Sequence, residues 1–205
     1  MNFGEGQTEL MARGFDYLSP TRLGLMLNLG KNAFEDFWHW PWLEQTLTGP
    51  APLTVDRLKT VVYVQDSDHC NPLAGLDVRV IANDGSAVGQ PGTPVYWWLD
   101  GPHGPNDTVT INTWPTGPAT LEARVTVESP ELSDVADVPL IPARYHTLWI
   151  DLAVVEAYHD SDNFASAGAL EAAVNLRLQA VVLRYETRNR QHSDLNASYA
   201  LSEDD

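Results

Sequence analysis

The sequence predicts an α+β protein: a helical domain, built from an N-terminal helix and a C-terminal helical hairpin, with a small antiparallel β-sandwich or barrel inserted. Three observations predict it. Apolar residues recur at helical spacing over 19–40 and again from 142 to 191. Between them the period changes to short β-branched or aromatic runs divided by Gly, Pro, Asn and Asp clusters. The 205 residues suffice for a sizeable core and for one or two domains.

Taken in order, 8–13 (TELMAR) reads as a short leading helix that stops at Gly14. Residues 19–40 read as a helix with Ser19 as N-cap and Pro20 at its first position. Leu23, Met26, Leu27, Gly30, Phe34, Phe37 and Trp38 fall on one face, and Leu25 and Leu29 widen the apolar surface as if for packing on two sides. The helix is expected to end at Trp40, because Pro41 biases the residue before it away from helical geometry.

The run FWHWPWLE then gathers Phe37, Trp38, Trp40, Pro41 and Trp42 into a rigid aromatic knob. A knob of this kind buries much apolar area at small entropic cost. It reads either as a core plug or as a subunit contact, and in neither case as chemistry.

Strands are expected at 60–64 (TVVYV), 77–82 (DVRVIA), 95–99 (VYWWL), 108–112 (TVTIN) and 121–128 (LEARVTVE), which gives an inserted domain over 53–138. Adjacent Trp97 and Trp98 must face opposite sides of their strand. Helical spacing resumes at Pro142. Tyr145, Leu148 and Leu152 are expected in the core of a hairpin whose second helix, about 163–191, places Leu170, Val174, Leu178, Val181 and Tyr185 inward, with a turn at 159–163. The expected organisation is therefore 1–52 helical, 53–138 β, 139–191 helical hairpin and 192–205 a flexible polar tail.

Charge and composition narrow the function. The formal charge of −16, from 28 acids against 12 bases, argues against a protein that grips nucleic acid. It suits a lumen through which DNA slides without sticking, and plain solubility explains it equally well. No apolar run is long enough to span a membrane, and the first ten residues do not read as a secretory signal, so residence in the cytoplasm of the producing cell or in a particle is expected. Single Cys70 reads as a small hydrophobe. His39, His69, His103, His146, His159 and His192 are scattered; His159 with Asp160 and Asp162 comes nearest to a ligand cluster but reads as a cap. The stretch 66–70 (DSDHC) holds nucleophile, base and acid types within one turn, where catalytic groups rarely converge. No catalytic residue, metal or cofactor is expected.

The leading helix, the helix closing on FWHWPWLE, the β insertion and the P-x-x-Y-x-x-L opening of a hairpin (Pro142, Tyr145, Leu148) with a polar tail together resemble the head-to-tail adaptor proteins of tailed bacteriophages. Such relatives often carry a basic residue where this chain has His39. The resemblance implies a structural virion protein of the viral neck: a dodecameric ring beneath the portal, a downstream tail or stopper protein below it, and double-stranded DNA passing through the centre. It also implies a C-terminal segment that reaches the portal, with Leu195, Tyr199 and Leu201 as anchors. The alternative is a tail or baseplate accessory in which the β module, with an outward tryptophan, takes carbohydrate or a cell-surface ligand.

Overall fold

The structure, a computed structural model, describes residues 1–69, 71–75, 92–102 and 107–200, apart from the side chains of 71 and 188–200. The expected strand at 77–82, Cys70, His103 and Leu201 lie outside the described residues. The fold is α+β. The chain forms two compact units, Met1–Trp38 with Glu131–Asp205, and His39–Pro130.

In the first unit, α1 (Phe3–Leu10) starts from a capping box in which the Asn2 side chain accepts from Glu5 N and the Glu5 carboxylate accepts from Asn2 N. It begins five residues earlier than the expected start at Thr8, because those reciprocal bonds satisfy free N–H groups that apolar spacing does not reveal. Beyond it a π-turn over Met11–Phe15 carries Gly14 at φ 98°, a conformation that costs glycine little. Helix α2 (Pro20–Asp36) has Ser19 as its N-cap, its hydroxyl accepting from Arg22 N. It ends four residues before the expected Trp40. Phe37 closes a tight last turn onto Phe34 O, and Trp40 is extended ahead of Pro41, which opens a separate 3-10 turn over Pro41–Leu43.

A 3-10 turn over Ala143–Tyr145 leads into α3 (His146–Asp160), and a turn at Ser161, Asp162 and Asn163, with Asp162 at φ 56°, leads into α4 (Phe164–Ala200). Helix α3 is apolar nearly all round, as befits a helix covered by neighbours. Leu148, Trp149, Leu152 and Ala153 are buried, whereas Tyr145 at its start is half-buried. Val174, Leu178 and Val181 of α4 are buried, while Leu170 and Tyr185 are half-buried.

The packing of α2 on α3 is close to backbone contact. A Cβ on Gly30 would lie 2.5 Å from Ala153 N and 2.8 Å from its Cα. One turn away, the buried Trp149 indole donates to Leu27 O at 2.9 Å. Asp151, also buried, accepts from Arg13 at 2.6 Å and from Arg177 at 2.5 Å, which ties the π-turn and α4 to α3.

The unit boundaries differ from the expected 1–52 and 53–138 for identifiable reasons. Residues after Trp38 belong with the strands because Glu44–Pro50 is itself a strand, β1, paired along its whole length with the strand Thr120–Val127. Residues 131–138 belong with the helices because Asn28 exchanges two bonds with the Leu132 backbone, and Phe3 N and Gly4 N donate to Asp137 O and Val135 O.

The second unit holds two four-stranded sheets, ordered β1-β8-β3-β4 and β2-β7-β6-β5. Their strands are β1 (Glu44–Pro50), β2 (Leu53–Asp56), β3 (Leu58–Asp66), β4 (Asn71–Pro72), β5 (Ala74–Gly75), β6 (Tyr96–Asp100), β7 (Thr108–Trp114) and β8 (Thr120–Val127). All pairs are antiparallel except β5 with β6. Leu53, Val55 and Ile111 of one sheet share an apolar cluster with Val64, Leu121, Ala123 and Val125 of the other.

Replacing Gly30 by Ala should destabilise the helical unit by about 1–3 kcal/mol, because the methyl group meets backbone that cannot swing aside. Gly168→Ala, whose Cβ meets nothing within 4 Å, is the matched control and should not lower the melting temperature. Thermal unfolding followed by circular dichroism compares the two.

Candidate functional site

The aromatic run does not form one knob at the end of a helix; it is divided between the two units. Phe37 and Trp38 close the helical unit, both half-buried, and the Trp38 ring lies 5.8 Å from that of Tyr185. Trp40, fully buried, stacks on half-buried Trp42 at 4.7 Å and 17° in the strand unit, with Pro41 exposed between them. The division follows from the early end of α2, which leaves Trp40 extended.

Trp38, through its contact with Tyr185, stands beside a polar cleft in the helical unit. Arg144, Tyr145, Arg184 and Tyr185 line a cavity of about 320 Å³ where the start of α3 meets the middle of α4. The Arg144 guanidinium donates to Tyr185 Oη at 2.5 Å and lies 4.8 Å above the Tyr145 ring, a cation–π arrangement. Phe34 backs Tyr145 at 6.3 Å. Burial, reinforced by a hydrogen bond with Tyr185, pushes the Tyr145 hydroxyl above its ordinary range, and the bond to Tyr185 raises Arg144. The cleft therefore offers the protonated Tyr145 phenol and permanent positive charge near neutral pH. In a chain with 28 acids, neither Arg144 nor Arg184 pairs with a carboxylate among the described residues. Such a surface suits an acidic or aromatic partner group. Forty residues separate the two arginines in sequence, so spacing alone could not have joined them.

The other sequence candidates resolve into structural roles. Within 66–69, Asp66 accepts from Asp68 N and contacts His69 Nδ1 at 2.7 Å, while Ser67 Oγ donates to Thr120 O. The serine hydroxyl thus serves the turn after β3. Asp160 pairs with Arg22, and the His159 ring faces Phe164 at 5.8 Å, so the carboxylates and imidazole of 159–162 do not converge. Among the described residues no three His, Cys, Asp or Glu side chains gather as metal ligands, and no helix is long and apolar enough to cross a membrane. Trp97 and Trp98 are both half-buried, Trp97 packing against the apolar cluster.

Leu195 and Tyr199 lie within α4, which runs unbroken to Ala200 where a flexible tail from 192 was expected. Polarity suggested a tail, but from Asn189 to Ala200 there is no glycine or proline to stop a helix.

Neither a scan against protein-family models nor a search of curated proteins finds a match to the chain.

His146, the first residue of α3, is buried and bonds Ile141 O through Nε2 at 2.8 Å; burial lowers its pKa from the ordinary 6.5. The folded state then takes up this proton less readily than the unfolded chain, so the stabilisation is present above about 6.5 and is lost as pH falls below it. Chemical denaturation at pH 7.5 and 5.5 should show lower stability at the acid value. His146→Gln should lessen that difference.

Proposed function

We propose that this chain is a subunit of the head-to-tail adaptor ring of a tailed bacteriophage: a non-enzymatic structural protein of the virion neck, assembled in the host cytoplasm. In this reading it has the architecture of a helical domain with an inserted β-sandwich, binds the portal above and a tail or stopper protein below, and passes double-stranded DNA through its lumen. The observation that carries the reading is the length of α4. At 1.5 Å per residue its 37 residues span about 55 Å, against about 22 Å for the 15 residues of α3. Helix α4 lies beside α3 as far as Tyr185, which meets Arg144 at the opening of α3. The following fifteen residues, to Ala200, project about 22 Å as an arm.

An arm at this place in the chain suits the role of a portal-reaching C-terminal segment, here helical, with Leu195 and Tyr199 on it. The −16 charge supports passage of DNA without adhesion. Two chemistries then divide the helical unit: the arm for the portal and the acid-poor helix faces for neighbours.

Removing Leu195–Asp205 should leave the melting temperature of the helical unit unchanged while weakening attachment to purified portal at least about tenfold, equivalent to 1.4 kcal/mol or more. Undiminished affinity of the truncated chain would contradict the role of the arm.

A further inference from the structure

The helical unit exposes two apolar strips that its own packing does not use. One is the outward face of α4. Ala165, Ala169, Ala172, Leu176 and Leu183 recur at helical spacing and are all exposed, Leu176 by 69% and Leu183 by 62%. A Cβ on Gly168, on the same side, would meet nothing within 4 Å. The inward side of this stretch is filled by Ala167, Val174, Leu178 and Val181, so α4 is apolar on two faces. A helix with two apolar faces needs a second neighbour.

The other strip lies on α2. Leu25 and Leu29, one turn apart, are 43% and 38% exposed, although Leu23, Met26 and Leu27 already supply the buried side. Leu25 borders a groove of about 500 Å³ with Phe3, Pro20, Leu132 and Val135. Val135 is itself 65% exposed.

We infer that these strips are the two halves of one contact between copies of this chain: the α4 ridge of one copy docks along α2 and its groove on the next. The choice of a second copy rests on the ring reading above and on charge. Two chains of −16 repel across most of their surfaces, and contact is least costly where carboxylates are missing. Residues 164–183 hold Glu171 and Arg177 as their only charges, and 21–34 hold Arg22 and Lys31 with no acid at all. Arg22 is satisfied by Asp160, and Lys31 is buried. A basic partner would be drawn instead to the acid-rich surfaces.

Shape agrees with charge. The alanines and Gly168 let a neighbouring helix come close, and Leu176 and Leu183 stand out as projections for a groove to receive. Because ridge and groove differ, the contact is heterologous and repeats head to tail, which closes a ring when the rotation allows.

Two variants of the full chain test it by sedimentation velocity at about 0.5 M salt, which screens the repulsion. Leu176→Glu with Leu183→Glu disables the α4 face, and Leu25→Glu with Leu29→Glu disables the α2 face. Thermal melts confirm folding, and glutamine replaces glutamate in any variant that melts early. The wild type should associate with rising concentration. Each variant alone should sediment as a monomer, and their equimolar mixture should form a complex of twice the 22.7 kDa chain mass and nothing larger. A mixture that stays monomeric while the wild type associates overturns the pairing. A wild type that is monomeric at every concentration overturns self-docking but leaves the ring reading standing, since a portal can gather copies. If only the α4 variant loses association, the contact is a two-fold α4–α4 dimer, and both the inference and the ring reading fail.

Discussion

The near-contact of α2 and α3 at Gly30 and Ala153 is the constraint on which the helical unit depends. A side chain at Gly30 would separate the two backbones, and with them Trp149 from the Leu27 carbonyl that its indole bonds. Burying a tryptophan is worth about 3–5 kcal/mol against alanine, a large part of a domain's net stability, so this single crossing fixes the frame. The rest follows by adjacency. Two residues before Ala153, Asp151 gathers Arg13 and Arg177 and so positions α4 against α3. With α3 enclosed, the outer faces of α2 and α4 have nothing of their own unit left to cover them.

The sequence spoke most clearly where one local rule acted alone. Ser19 and Pro20 announced the start of α2, and the β-branched runs announced β3, β6, β7 and β8. It was silent on β1, whose EQTLTGP is too polar to read as a strand, because that segment is stabilised by pairing with β8 rather than by a buried face. The end of α2 was misplaced because aromatic periodicity continued through Phe37 and Trp38 after the backbone had begun to leave the helix. The end of α4 was misplaced for the opposite reason: polarity changed while helix-forming backbone did not. The candidate cleft was the least legible part, since Arg144 and Tyr185 meet only once the hairpin has folded.

The surplus Leu25 and Leu29, in contrast, were readable as a second packing surface from spacing alone, and they are exposed. Apolar side chains kept at the surface of an acidic chain carry a cost in solubility, and these two strips are what the proposed self-contact would cover. The Arg144 and Arg184 cleft adds a positive, aromatic-walled surface close to where the α4 arm leaves its hairpin partner. In the adaptor reading, these features separate contact with the portal from contact between neighbours.

The central claim is that copies of this chain assemble as a ring on a portal. Native mass spectrometry of the full chain mixed with purified portal rings tests it most directly. The account predicts a saturated complex with one copy for each portal subunit and few partly filled rings, because neighbours stabilise one another. Binding of isolated copies without cooperation, or no binding at all, would contradict it.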